Sequence, residues 1–135
     1  MSKEYVRRLV SAKFMEFPGL DSANKKLPNQ PKHVDSTPGT MNASLEVAFM
    51  FSEIESIGDN PCVRRTGVIS IEVTEELDEG TRKIYELTDA IEDWFGLWTA
   101  VNFWTGAANT ITLGEDKSRT RYVATVHIPF TYDQP

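Results

Sequence analysis

The feature that most constrains this fold is a change in the spacing of apolar residues between residues 64 and 98. In residues 64–75 apolar and polar side chains alternate, and one face carries Gly67, Ile69, Ile71 and Val73. Alternation with β-branched residues is typical of a strand with one buried face. From residue 84 the apolar residues recur at steps of three and four, which predicts an amphipathic helix. Its apolar stripe consists of Ile84, Leu87, Ile91, Trp94, Phe95 and Trp98. We therefore expect this strand and helix to pack on each other and form the core.

Two helices are predicted. The central helix is expected to start between Asp78 and Thr81 and to end at Gly96, since glycine suits a helix C-terminus. An N-terminal helix is predicted for residues 3–17, which Pro18 and Gly19 then end. Its apolar stripe is formed by Val6, Leu9, Val10 and Phe14.

The predicted strands are long and come in pairs. Residues 42–57 alternate, with Leu45, Val47, Phe49 and Phe51 on one face. The turn-forming sequence SIGDNP follows, so this strand and residues 64–75 are expected to form a long antiparallel hairpin. A short strand at 110–113 and a second long strand at 119–132 complete the chain. The last strand places Tyr122, Ala124, Val126, Ile128, Phe130 and Tyr132 on one face. The predicted fold class is α+β, a mainly antiparallel sheet packed by both helices.

Composition restricts the class of protein. The 135 residues suffice for a single domain spanning residues 1–135. Cys62 is the sole cysteine, so no disulfide framework or cysteine metal cluster is expected. No secretory signal or membrane-spanning run is predicted. The net charge of −6 disfavours a protein that clamps nucleic acid over most of its surface.

No catalytic or cofactor motif was found. His33 and His127 are not spaced as metal ligands, and Cys62 has no evident histidine partner. Phosphate-binding glycine loops and nucleophile elbows are absent from the sequence. We therefore expect no enzyme activity, no metal and no cofactor.

Three surfaces remain as candidates for binding. Residues 18–42 contain four prolines and form either a covering or disordered loop, or an arm that grips a neighbouring subunit. An acidic rim is expected at the entrance of the central helix, where carboxylates favour the helix dipole. Its residues are Glu75, Glu76, Asp78 and Glu79. Four aromatic residues lie close together in the sequence: Trp94, Trp98, Phe103 and Trp104. They belong either to the core or to a subunit interface, since tryptophan is favoured at interface centres.

The order of these segments resembles the tail terminator proteins of long-tailed bacteriophages. The resemblance runs through residues 1–135 and rests on LPNQP, RRTGVISIEV, EGTRKIYELTDAIEDWF and RYVATVHIPFTYD. It includes an early helix, an Asn-x-Pro loop, a strand opening on glycine, a glycine-led helix and a long final strand. The Asn-x-Pro residues here are Asn29, Gln30 and Pro31. The chain departs from the family in having Leu27-Pro28 where an aromatic residue is usual.

This resemblance implies a structural virion protein without catalysis. Such a protein caps the tail tube as a hexameric ring, stops tube growth and forms the surface for joining the head. Its partners would be copies of itself, the tail-tube protein and a head–tail connector or neck protein. DNA would pass through the lumen without specific binding, and no membrane is involved. The expected location is the head-proximal end of the tail, reached from the host cytoplasm during assembly.

Two alternatives remain open from the sequence. One is another head–tail connector, neck or tail-tube protein. The other is a small enzyme or ligand-binding domain that uses the carboxylates of residues 75–79. The arm residues Asn29, Gln30 and Pro31 and the aromatic residues Trp98, Phe103 and Trp104 are the predicted subunit-interface residues.

Overall fold

The computed structural model describes residues 3–20, 24–28, 41–54, 63–76, 82–115 and 121–134. The helices are α1 (Lys3–Glu16) and α2 (Arg82–Phe95). The strands are β1 (Lys25–Lys26), β2 (Asn42–Ile54), β3 (Val63–Glu76), β4 (Thr99–Ala100), β5 (Phe103–Thr105), β6 (Asn109–Glu115) and β7 (Arg121–Gln134). All these strands belong to one sheet of order β1-β2-β3-β7-β5-β4, and β6 also pairs with β7. Only the β1–β2 pair is parallel among the described strands, so the predicted α+β class is confirmed.

The predicted long hairpin is the centre of the sheet. β2 and β3 pair antiparallel from Asn42 opposite Thr74 to Ile54 opposite Val63. On its other side β3 pairs with β7 along its whole length. β6 and β5 then share the far edge of β7. The last strand ends later than predicted, at Gln134, and the short strand before it extends over Asn109–Glu115.

A β-bulge changes which residues of β2 face the core. Phe49 lies opposite Gly67 but Phe51 lies opposite Thr66, so Met50 is the extra residue. A side chain at Gly67 would collide with the carbonyl of Ala48 and approach the Phe130 ring to 2.6 Å, which explains the glycine. The prediction that Phe51 shares a face with Leu45, Val47 and Phe49 is therefore wrong. The bulge turns Phe51 to the opposite face, where 68% of it is exposed.

Both helices cover one face of the sheet, which we call the inner face. The predicted stripe of α2 is confirmed for Ile84, Leu87, Ile91 and Phe95, which are all buried, whereas Trp94 is half-buried and Trp98 lies beyond the end of the helix. Helix α1 buries Val6, Val10, Ser11 and Phe14. The helices also contact each other: Trp94 Nε1 donates to the Lys13 carbonyl at 2.8 Å, and the Trp94 and Phe17 rings meet edge to face. The inner face of β7 contributes Ala124, Val126, Ile128, Phe130 and Tyr132 to the same core.

The end of α2 differs in detail from the prediction. The Gly96 amide still donates to the Glu92 carbonyl at 2.8 Å, but the left-handed residue is Leu97, with φ of 55°. Thr105 Oγ1 donates to the Phe95 carbonyl at 2.5 Å and accepts from the Trp98 amide at 2.7 Å. These bonds join the helix end to the β4–β5 hairpin. Within the described residues, neither helix is long and apolar enough to cross a membrane.

Candidate subunit interface

Phe103 lies in the core. Its side chain is 1% exposed, its ring stacks on Phe130 with centroids 5.6 Å apart, and the Trp98 ring lies 5.1 Å away. Phe49 and Tyr132 continue this aromatic cluster across the sheet. The expectation that Phe103 contacts a neighbouring subunit is therefore wrong, because the side chain is enclosed within its own subunit.

Trp98 lies at the margin of the same core. It is half-buried against the rings of Phe95 and Phe103. The Lys13 ammonium lies 4.2 Å from the centre of the Trp94 ring and 5.2 Å from that of Trp98. A cation over two indole faces fixes both rings at the surface of the helix layer. Part of Trp98 remains exposed, and its interface role remains a prediction.

Trp104 lies on the opposite face of the sheet from Phe103, since successive residues of β5 alternate. The Arg64 guanidinium lies 5.1 Å from its ring centre. Arg64 also donates two hydrogen bonds to Asp133, at 2.9 and 3.1 Å. These bonds lower the pKa of Asp133 below its ordinary value. Trp98 and Trp104 are therefore separated by the sheet and cannot form one aromatic patch.

The face that carries Trp104 is not covered by either described helix. Phe51 on β2, one threonine on β3, one threonine on β7 and Trp104 on β5 lie side by side in one cross-strand row. The next row contains Val68 opposite Pro129. We call these four residues, Phe51, Val68, Trp104 and Pro129, the open-face patch. Phe51 and Pro129 are exposed and the other two are half-buried. Sequence alternation misplaced Phe51 because nothing in the residue pattern marks the bulge.

The predicted interface residues Asn29, Gln30 and Pro31 lie outside the described residues. The segment before them is fixed to its own subunit. Lys25 is 7% exposed, and its Nζ donates to the carbonyls of Met15 at 3.0 Å and Phe17 at 2.6 Å. A cation at a helix C-terminus satisfies the last carbonyls and the helix dipole. Residues 24–28 therefore attach the 18–42 segment to the end of α1, a role that the sequence pattern did not reveal.

Two of the four residues predicted to form an acidic rim at the helix entrance lie on a strand instead. Glu75 and Glu76 belong to β3, and Glu75 is fully buried opposite Tyr122. The alternation of Ile69, Ile71 and Val73 continues through Glu75, which places it on the inner face. That continued alternation was the available signal. Asp78 and Glu79 lie outside the described residues.

The described histidine takes part in a strand-to-strand contact. Ser70 Oγ lies 3.3 Å from His127 Nδ1, as expected for directly opposite residues on β3 and β7. In the described part of the chain, no three His, Cys, Asp or Glu side chains are grouped to hold a metal ion. His33 and Cys62 lie outside it.

Comparison with known proteins supports the fold and no function. No family model matches the sequence. No curated protein matches it either. Seven solved chains match in structure. One of them superposes with a TM-score of 0.67 at 11% identity, covering 100% of this chain and 98% of its own. At that identity the likeness shows a shared α+β fold alone.

Proposed function

We propose that this protein is a phage tail terminator: a ring that caps the tail tube at its head-proximal end, stops tube growth and forms the surface for joining the head. The proposal rests first on the ordered resemblance of the whole chain to that family. The α+β fold, with the long hairpin between two helices, agrees with that resemblance. The protein would assemble in the host cytoplasm and remain in the virion.

The structural observation that carries the proposal is the open-face patch. Aromatic and apolar side chains at Phe51 and Trp104 lie on a sheet face without a covering helix among the described elements. Exposed apolar patches of this kind mark protein-binding sites.

We assign the patch to contact with the tail-tube protein or with the connector on the opposite side of the ring. A purified tube protein that polymerises into short capped tubes when this chain is present, and into long tubes when it is absent, would support the assignment. Substituting Phe51 by Ser should abolish capping while the melting temperature stays unchanged. Incorporation of the chain along the tube, instead of at its end, would favour a tube subunit. Binding to the connector without binding to the tube would favour a neck protein.

The ring is proposed to be a hexamer, so that it matches a sixfold tube. A cyclic ring requires a heterologous interface in which two different surfaces meet. The arm around Asn29, Gln30 and Pro31 is proposed to reach the next subunit. The net charge of −6 supports a lumen through which DNA slides without being held.

The role of the arm is best tested by a change that leaves residues 24–28 intact. Deleting residues 21–32 would also remove Lys25 and the hydrogen bonds that it donates to the end of α1. Replacing residues 29–40 by a glycine-serine linker of equal length leaves those bonds in place. We expect a folded protein that fails to cap tubes, so that tails grow too long. Tails of normal length would show that the arm is dispensable.

A further inference from the structure

The face of the sheet opposite the helices, which we call the open face, has an apolar centre four strands wide. In the first of its two rows the aromatic side chains stand at the ends, Phe51 on β2 and Trp104 on β5, with threonines on β3 and β7 between them. In the second row two larger apolar residues stand in the middle and two small residues flank them: Ala48, Val68, Pro129 and Gly106. Both rows therefore carry residues of similar kind on the two sides of a line between β3 and β7.

The charged row next to Phe51 and Trp104 is arranged about the same line. Arg64 on β3 lies directly opposite Asp133 on β7, and its guanidinium donates to both carboxylate oxygens, at 2.9 and 3.1 Å. The Arg64 guanidinium also lies 5.1 Å from the centre of the Trp104 ring, which places the ion pair on the open face. A positive charge on one side of the line is therefore matched by a negative charge on the other.

The row on the other side of the apolar centre is polar. Ser70 lies opposite His127, with Oγ and Nδ1 3.3 Å apart. Glu46 on β2 and Asn109 on β6 stand at the two ends of this row. An ionised carboxylate only accepts hydrogen bonds, whereas an amide also donates them, so the two ends are complementary in hydrogen bonding.

A second copy can cover this face through a two-fold axis that runs parallel to the strands, between β3 and β7. Such an axis exchanges left and right and leaves each row over its own equivalent. The facing pairs are Phe51 with Trp104, Val68 with Pro129, Ser70 with His127, and Arg64 with Asp133. An axis across the strands would instead place Arg64 over Ser70 of the second copy. The complementary charges therefore select the axis along the strands.

The geometry and the size of this contact suit a weak dimer. Sheets that pack face to face keep their strands within about 30° of each other, and this axis keeps the strands of the two copies aligned. The charged row and the two apolar rows cover four strands about 4.8 Å apart and three rows about 6.8 Å apart, or about 400 Å² on each copy. The total of about 800 Å² is below the roughly 1,200 Å² of stable interfaces. Such a dimer forms and dissociates readily.

We propose that in the free protein the open face binds the open face of a second copy through this two-fold axis. The charges of Arg64 and Asp133 identify the occupant, because each copy supplies the charge that the other requires. The dimer is independent of the proposed ring, whose contacts are heterologous. Its consequence rests on the proposed function: a copy whose open-face patch is covered cannot bind the tube or the connector with that patch. The tube end must therefore displace the second copy before the tube is capped.

Exchanging charges between copies tests the dimer with the purified full chain. Sedimentation equilibrium up to millimolar protein should show a monomer–dimer equilibrium for the wild type. R64D and D133R each place like charges over one another, and each should dimerise at least about tenfold more weakly. An equimolar mixture should regain association, because one copy then carries two carboxylates over the two guanidinium groups of the other. A wild type that is monomeric at millimolar concentration, or a mixture that stays monomeric, would overturn the proposal.

Two further variants show whether the charges act through this contact. The double variant R64D/D133R restores the ion pair within each copy and between copies, so it should fold and dimerise as the wild type does. Asp89→Arg is the control, because Asp89 is exposed on α2, on the helix side of the sheet, and should leave dimerisation unchanged. A folded double variant that stays monomeric would refute the facing of Arg64 and Asp133. Dimerisation of R64D equal to that of the wild type would place the contact elsewhere and overturn the proposal.

Adding purified tube protein separates this inference from the proposed function. If the wild type forms this dimer but never caps a tube, the dimer is supported and the terminator is wrong. If it caps tubes but is monomeric at millimolar concentration, the terminator is supported and the dimer is wrong. Dimers that bind the tube end without dissociating would refute the displacement.

Discussion

Lys25 offers a test of how the 18–42 segment is attached to the domain. Its ammonium is almost fully buried and donates to the carbonyls of Met15 and Phe17 at 3.0 and 2.6 Å. The rings of Phe14 and Phe17 lie within 6 Å of the ammonium, at 5.9 and 5.8 Å. Lys25→Met keeps most of the length and apolar contact of the side chain but removes both hydrogen bonds. The end of α1 and the short strand β1 should then separate.

The size of this effect follows from opposing terms. Two hydrogen bonds from a charged donor contribute about 3 to 6 kcal/mol, and removing the ammonium from water costs several kcal/mol of that. We expect Lys25→Met to lower the free energy of unfolding by about 2 kcal/mol. For 135 residues the unfolding entropy is about 0.28 kcal/mol/K, so the melting temperature should fall by about 7 °C.

Lys26→Met is the matched control. Lys26 is the next residue on β1, and its Nζ lies 3.9 Å from a carboxylate of Glu46 whose side chain is 60% exposed. Such a pair contributes less than about 1 kcal/mol. Urea unfolding and limited proteolysis of both variants give the comparison. Equal stability of Lys25→Met and wild type, or equal losses in both variants, would refute the idea that Lys25 fixes the segment to α1.

Three further predictions concern the core and the sheet. Ile91→Asp should unfold the domain, because an unpaired carboxylate at a fully buried position costs several kcal/mol, and a soluble variant with unchanged melting temperature would contradict the packing. Phe49→Ser should lower the free energy of unfolding, measured by chemical denaturation, by about 2 to 3 kcal/mol, whereas Phe51→Ser should change it by no more than about 0.5 kcal/mol. Equal losses in the two variants would contradict the bulge. Because Arg64 lowers the folded pKa of Asp133, this pair should stabilise the protein by about 0.5 kcal/mol above pH 4 and lose that contribution as the pH falls towards the lowered pKa. Asp133→Asn should remove this part of the pH dependence of urea unfolding, and an unchanged pH profile would contradict the prediction.

The regular parts of the fold could be predicted because their patterns repeat. The stripe of α2 and the alternation of Ile69, Ile71 and Val73 each bury one face, so the face follows from the residue types. The same rule extended one step further would have placed Glu75 on the inner face. The carboxylate was instead assigned to the following helix by its charge. Where the alternation is unbroken, the position of a residue along the strand predicts which face of the sheet its side chain lies on better than its polarity does.

The candidate surfaces were harder to predict because they depend on single backbone events. One extra residue at Met50 moves Phe51 from the core to the open face. The adjacent residues Phe103 and Trp104 lie on opposite faces of the sheet because β5 is a strand. A strand of three residues is too short to show a period in the sequence. Leu97 adopts the left-handed conformation beside a glycine that would accommodate it more easily. Phe51, which is exposed, and Leu97, which is left-handed, depart from the preferences of their residue types, and such departures cluster at functional sites.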